Sequence, residues 1–486
     1  MASNPAPGLA QRTMRGMFWA YGSYVGLRLS TLIATAILAR LLTPKDFGLV
    51  AVATTFMAFL DMLQGLGIGQ ALVIASEEEI EDRANIAFTL SVGIGAALMA
   101  ITAALGPATA AFFHQPRLVA VMPVLGSTFL ILALSSTHYA LAMRNIDFRT
   151  RTIAELTDAF VRGGAGIALA LAGAGVWSLI VGYVAGNLAM SAILWALVPW
   201  RPRRVRDWTH ARHLLSFGGY VTGLGLMAAF LTQFDNLVVG RVLGATQLGY
   251  YSIATKIPSL FILNLAVVAG QVLFPAFASL DEEALRRGVI VSFRYIAMVV
   301  FPLTAFLIVL AEPLTILVFG PHWHGAVAAA RVLSLWALMS PISMVCGNAF
   351  MSRGRARVLF LLAVPQAIAL VAGSLAVAHY GIVAVSWVQA AIAIAAQVVT
   401  LTIAQRMFNL NVRSILAAFG PPLLASVALA ATLLLVNTIF SSAWPEIISG
   451  AVGGGLVYAL LLHLLAPDLL PGVRRMVLAR TGRQPA

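Results

Sequence analysis

Residues 84–113 read ANIAFTLSVGIGAALMAITAALGPATAAFF, thirty positions without one charged side chain. A helix rises about 1.5 Å per residue, so this run outreaches the roughly 30 Å hydrocarbon core of a bilayer. The run is continuous rather than alternating, which argues against a strand of a transmembrane barrel. Similar runs recur from Gly16 almost to the C-terminus. They predict helices over 17–41, 47–75, 84–113, 117–142, 152–173, 176–199 and 214–240. The series continues over 247–277, 289–319, 325–351, 357–379, 382–407, 414–438 and 444–466. The expected fold class is an all-α integral membrane protein with about fourteen transmembrane helices.

Composition points the same way. Of 486 residues, 60% are hydrophobic and 10% charged, against roughly a quarter charged in a soluble chain. The net charge of +13 would suggest nucleic acid in a soluble protein. Here the bases sit between apolar runs and no nucleic-acid-binding signature accompanies them. Cys346 is the only cysteine, so neither an intramolecular disulfide nor a multi-cysteine zinc site can form. Lying in an apolar run, it reads as a buried small hydrophobe. The N-terminal run 17–42 is too long for a cleaved signal peptide and is interrupted by Arg28.

The bases also set orientation. With the N-terminus in the cytoplasm, alternate loops gather 22 of the 31 Lys+Arg on that side, with the densest cluster at Arg201, Arg203, Arg204, Arg206 and Arg212. Only Arg40, Lys45, Arg117, Arg241 and Lys256 fall outside. The positive-inside rule then places both termini in the cytoplasm, and the protein is expected in the inner membrane.

A duplication is written into the chain. At a constant offset of 201 residues Gly22 meets Gly223, Arg40 meets Arg241, Leu42 meets Leu243 and Gly48 meets Gly249. Ala53-Thr54 meets Ala254-Thr255, Gly69-Gln70 meets Gly270-Gln271 and Leu72 meets Leu273. Helices 1 and 7 enter from the same side, so the halves are expected to be parallel six-helix repeats, an arrangement typical of transporters with a central cleft. The expected organisation is a cytoplasmic tail (1–16), an N-terminal bundle (17–199), a basic linker (200–213) and a C-terminal bundle (214–407). Two further helices (408–466) and a basic tail (467–486) complete it.

Charges inside spans are costly and mark function by default. Arg28 and Asp61 fall near the middles of helices 1 and 2. They read either as an anion ligand with its counter-ion or proton carrier, or as an ion pair fixing the two helices. Asp158 and Arg162, four apart on helix 5, can satisfy one another, or Arg162 can bind substrate. Arg294 near the cytoplasmic end of helix 9 could meet a diphosphate or reach lipid phosphates. Asp235, with Gln233 and Asn236 beside it, suggests a wet lining. The substrate-binding candidates are therefore Arg28, Arg162 and Arg294. The counter-ion or ion-coupling candidates are Asp61, Asp158 and Asp235. Lys256 and Arg331 read as interfacial anchors. His322-Trp323-His324 reads as a surface loop with an interfacial Trp, since two histidines without a third ligand make a poor metal site. Gly22-x-x-x-Gly26, Gly65-x-x-x-Gly69, Gly182-x-x-x-Gly186 and Gly219-x-x-x-Gly223 permit close helix approach. Pro258, Pro275, Pro302, Pro341 and Pro365 can loosen their helices.

Catalytic patterns are missing from the sequence. It has no Walker lysine loop, no Gly-x-Ser-x-Gly elbow, no His-Glu-x-x-His and no Asp-x-Asp. No enzyme activity, cofactor or metal centre is expected.

Ala39-Arg-Leu-Leu-Thr-Pro-Lys-Asp-Phe-Gly48 and Gly65-Leu-Gly-Ile-Gly-Gln-Ala-Leu72 resemble the start of Wzx-type polysaccharide flippases. So do Phe234-Asp-Asn-Leu-Val-Val-Gly-Arg-Val-Leu-Gly244, Leu248-Gly-Tyr-Tyr-Ser-Ile-Ala254 and Gln271-Val-Leu-Phe-Pro-Ala-Phe277. Those proteins belong to the multidrug/oligosaccharidyl-lipid/polysaccharide exporter superfamily, and the nearest likeness is to its exopolysaccharide branch. The resemblance implies two six-helix bundles around a central cavity, worked by alternating access. It implies a substrate, an oligosaccharide on undecaprenyl diphosphate, destined for exopolysaccharide or lipopolysaccharide. It also implies membrane lipids as partners, a coupling ion (H+ or Na+), and neighbouring polymerase or export machinery. The site residues rest on the charge argument alone. A drug exporter of the same fold would favour an acidic cavity for cations. A membrane glycosyltransferase or polymerase would need a sizeable outer loop, which this chain lacks.

Overall fold

The computed structural model describes residues 26–65, 72, 79–145, 147–205, 211–439 and 442–467. The expected tails, Gly22, Gly69, Gln70 and Arg206 lie outside them. Among the described residues the regular elements are helical. That is what a chain in hydrocarbon requires, because a helix satisfies its backbone groups internally.

In chain order the first seven helices are α1 (26–41), α2 (Pro44–Gly65), α3 (Ile80–Phe113), α4 (Leu118–Arg144), α5 (Phe148–Leu171), α6 (Val176–Leu197) and α7 (Ala211–Val242). The next are α8 (Ala245–Ala278), α9 (Glu282–Val309), α10 (Val327–Ser352), α11 (Ala356–Val377), α12 (Ile382–Met407), α13 (Val412–Ile439) and α14 (Ala443–Leu465). Eleven helices among the described residues are long and apolar enough to cross a membrane. α5 is not among them, because it carries Arg149, Arg151, Glu155, Asp158 and Arg162. On α14, Ile448, Val452, Leu456, Leu460 and Leu464 form an exposed apolar stripe at helical spacing, a surface that suits lipid rather than water.

The sequence explains the helix ends. At α2, Thr43 Oγ1 donates to Asp46 Oδ2 (2.6 Å) and accepts from the Asp46 N–H (3.3 Å). Pro44 between them occupies the first helical position, where its missing N–H costs nothing. This capping box accounts for the Leu-Thr-Pro-Lys-Asp string. α5 starts on Asp147, which accepts from the Thr150 N–H, and α9 on Asp281, which accepts from the Ala284 N–H.

Two expectations need correction. The helix expected over 289–319 is broken: α9 ends at Val309 and a short helix, Ala311–Phe319, follows. Pro313, with no N–H and a ring that displaces the carbonyl four residues back, forces the break there. Helix α8 runs through the expected span and loosens where Pro258 is expected to loosen it, a π-helical stretch, Ser259–Leu263, directly following that proline. Trp323 is not interfacial: it sits on a 3-10 turn (Pro321–Ala326), wholly buried, edge-on to Tyr250 at 6.0 Å.

The chain divides into two compact units, Met1–Gly249 and Tyr250–Ala486. In the first, α3 packs along α4, α5 along α6, and α7 along α2. In the second, α10 packs along α9 and α12, and Cys346 is buried with Phe293, Val345, Ala349 and Phe350. The two helices beyond the repeat attach here. Phe419 of α13 lies 5.3 Å from Phe293 of α9, ring to ring, and Tyr458 of α14 donates to the Met298 carbonyl at 2.6 Å.

The duplication recurs in the hydrogen bonding. Arg144, closing α4, donates to the Leu72 carbonyl (3.3 Å). Arg353, closing α10, donates to the carbonyls of Leu280 (2.6 Å) and Phe277 (3.4 Å). In each unit the fourth helix of the repeat ends in an arginine that donates to backbone carbonyl oxygen of the chain preceding the third.

Candidate functional site

Small residues build the site in the first unit. A Cβ on Gly163 of α5 would lie 2.9 Å from Ala34 Cβ of α1, and one on Gly166 would lie 3.4 Å from Leu38. On the other flank, a Cβ on Gly182 of α6 would fall 2.8 Å from the Arg162 carbonyl. One on Gly186 would fall 2.9 Å from the carbonyl of Asp158 and closer still to its carboxylate. The Gly182-x-x-x-Gly186 spacing thus brings the α6 backbone directly against the charged turn of α5.

There Arg162 Nη2 donates to both Asp158 oxygens, at 2.8 and 2.9 Å. The guanidinium stands over the Tyr183 ring of α6, 4.3 Å from its centroid, within cation–π range. The Arg162 side chain is 37% exposed and that of Asp158 18%. Asp61 of α2 is within electrostatic reach of Tyr183, as are Asp158 and Arg162. The contacts of α1 with α5 pair Gly26 with Leu156 and Ala34 with Gly163, so Arg28 lies about level with Asp158.

The charges singled out from the sequence therefore divide. Asp158 and Arg162 are paired, Asp61 is within electrostatic reach of the same tyrosine, and Arg28 shares their level on α1. Asp235 is buried on α7, where Asn236 donates to Gln233 at 2.8 Å. Arg294 belongs to the second unit. Also in that unit, Arg331 pairs with Glu312 at 3.3 Å, and His324 Nε2 lies 3.3 Å from the same carboxylate. Tyr183 escaped the charge argument, because an uncharged aromatic in an apolar run carries no mark. The available signal was its place between Gly182 and Gly186.

The profile of a family described as polysaccharide biosynthesis protein matches residues 37–328. The succinoglycan biosynthesis transport protein ExoT of Rhizobium meliloti (strain 1021) is 28% identical, the match covering 98% of this chain and 97% of the relative. The lipopolysaccharide biosynthesis protein WzxC of Escherichia coli (strain K12) is 24% identical, the match covering 72% of this chain and 72% of the relative. Among solved structures, the lipid II flippase MurJ in an inward closed conformation matches with a TM-score of 0.78 at 14% identity, covering 93% of this chain and 99% of that one. An inward-facing multidrug resistance MATE transporter of the MOP superfamily matches with a TM-score of 0.64 at 16% identity, covering 79% and 94%.

Proposed function

The chain belongs to the polysaccharide biosynthesis protein family, and from that membership we propose that it is a flippase for an undecaprenyl-diphosphate-linked oligosaccharide. It carries the repeat unit from the cytoplasmic to the outer face of the inner membrane, by alternating access, for exopolysaccharide or lipopolysaccharide assembly. The observation that carries this reading is the likeness to a succinoglycan transport protein along 98% of the chain.

The physics of the cargo fits. Sugar hydroxyls lose their hydrogen bonds in hydrocarbon, and an ionised diphosphate would cost tens of kcal/mol in an idealised apolar medium. A wet, charged passage removes most of that cost while the polyprenyl tail stays in lipid. Arg28 and Arg294 are the cations proposed to meet the diphosphate. Arg162, already matched by Asp158, serves the substrate as a hydrogen-bond donor. Asp61, Asp158 and Asp235 are the counter-ion or ion-coupling groups, for H+ or Na+. With both termini in the cytoplasm, outward passage of negative charge is favoured by about 2.3 kcal/mol per charge per 100 mV. The polymerase and export machinery are the partners that would take the delivered unit.

The test uses a strain lacking the gene, with the initiating sugar transferase kept inducible. Undecaprenyl-linked intermediates are extracted and the membrane face of the completed unit is determined. Full-length units held on the cytoplasmic face, with polymer lost, are the expected result. Normal intermediates and normal polymer would overturn the assignment.

A further inference from the structure

The Asp158–Arg162 pair is one of two on the same face of α5. Arg151, Glu155, Asp158 and Arg162 follow one another at the spacing of a single helical stripe. The lower pair repeats the construction of the upper one. Arg151 lies 3.7 Å from Glu155, and its guanidinium stands 5.0 Å from the ring centroid of Tyr139 on α4. Arg151 Nη2 donates to Tyr139 Oη at 2.9 Å, and Tyr139 Oη donates to Glu155 Oε1 at 2.8 Å. Each station is thus an ion pair four residues apart with a tyrosine ring against the guanidinium. The two arginines are eleven residues apart, about 16 Å along the helix axis.

Two features of this stripe point to a ligand. Its four charged side chains are all partly open, from 18% to 37% exposed, in a chain whose outer surface is otherwise largely apolar. Charges at such positions face water rather than lipid. Each arginine is matched by its own carboxylate, so the stripe is close to neutral and has little to offer a diphosphate. Paired donors and acceptors beside aromatic rings, with no net charge, match polyhydroxylated sugar rings.

We propose that this face of α5, backed by Tyr139 of α4 and Tyr183 of α6, is a glycan track that binds the uncharged sugar residues of the cargo. The inference rests on the flippase reading and adds a division of labour to it. The sugars are recognised along α5, and the diphosphate elsewhere.

Purified full-length protein in nanodiscs would be titrated with two probes. One is the oligosaccharide repeat released from the host's lipid-linked intermediate, and the other is undecaprenyl diphosphate without sugar. The wild type is expected to bind both. Tyr139→Ala/Tyr183→Ala should weaken the oligosaccharide at least tenfold and leave undecaprenyl diphosphate within twofold. Tyr139→Leu/Tyr183→Leu, which keeps an apolar side chain in both places and leaves every charge paired, should weaken the oligosaccharide alone in the same way and serves if the alanine variant does not fold. Wild-type oligosaccharide affinity in both variants, or equal loss of both probes, would overturn the track. So would a wild type that binds only the sugar-free lipid. A wild type that binds neither probe would instead count against the flippase reading itself.

Discussion

Gly48 and Gly249, equivalent positions of the duplicated sequence, lie against one another. A Cβ on Gly48 would fall on the Ala245 carbonyl and 2.9 Å from the Gly249 nitrogen, and one on Gly249 would fall on the Pro44 carbonyl and 3.2 Å from the Gly48 nitrogen. Pro44 and Ala245 are themselves 201 residues apart. The first turns of α2 and α8 therefore touch backbone to backbone, and no flexible side chain is available to yield. Gly48→Ala and Gly249→Ala should each cost about 1–3 kcal/mol as overpacking. Gly93→Ala, whose Cβ would meet nothing within 4 Å, should not. Thermal unfolding in detergent would separate them.

Gly186→Ala should disrupt the charged turn without touching a charge. Its methyl would collide with the Asp158 carboxylate and with the Asp158 carbonyl, pushing the pair off α6. Transport by this variant should fall well below that of Gly164→Ala, which opens onto empty space. Equal activity of the two variants, at matched membrane levels, would show that the α5–α6 approach is not needed.

Arg162 and Asp158 should behave as a unit. Removing either charge leaves the other uncompensated against α6, at a cost of about 1–3 kcal/mol for a pair this open. Asp158→Asn/Arg162→Gln should be more stable than the sum of the single changes. A double-mutant cycle on unfolding midpoints measures the coupling, and strict additivity would mean the contact contributes nothing.

Arg353 and Arg144 hold carbonyls at corresponding places. Arg353→Ala removes two charge-assisted hydrogen bonds, to Phe277 and Leu280, each of about 1.5–3 kcal/mol. Arg144→Ala removes a longer one, to Leu72. Amide exchange should rise at the C-terminal end of α8 in the first variant, and global stability should fall less in the second.

Much of the architecture is legible in the order of the amino acids. Apolar runs as long as 84–113 admit only a helix in a bilayer, and the constant offset from Arg40 to Leu273 announces the repeat. Cys346 is as buried as its run suggests. Local backbone events are harder to read. Pro313 breaks a helix that hydropathy reads as continuous, while Pro275, Pro302, Pro341 and Pro365 remain inside helices. A proline's effect depends on what its neighbours can re-satisfy, and hydropathy does not record that. Within the site, the i, i+4 pair of Asp158 and Arg162 follows from helix periodicity. The tyrosines do not, because Tyr139 and Tyr183 arrive from other helices and their partners are set by packing.

The π-helical turn at Ser259–Leu263 limits how far one half of the chain can stand in for the other. At the same offset, Asp61 of the first half corresponds to Ile262, which lies within that turn and is fully buried. The matching positions 58–62 of α2 are α-helical, and a wider turn makes the helix lag in rotation, so the residues just after Leu263 are turned from where a continuous α-helix would carry them. A swap of matched segments between the halves would preserve length and hydropathy and still present the wrong side chains to their neighbours.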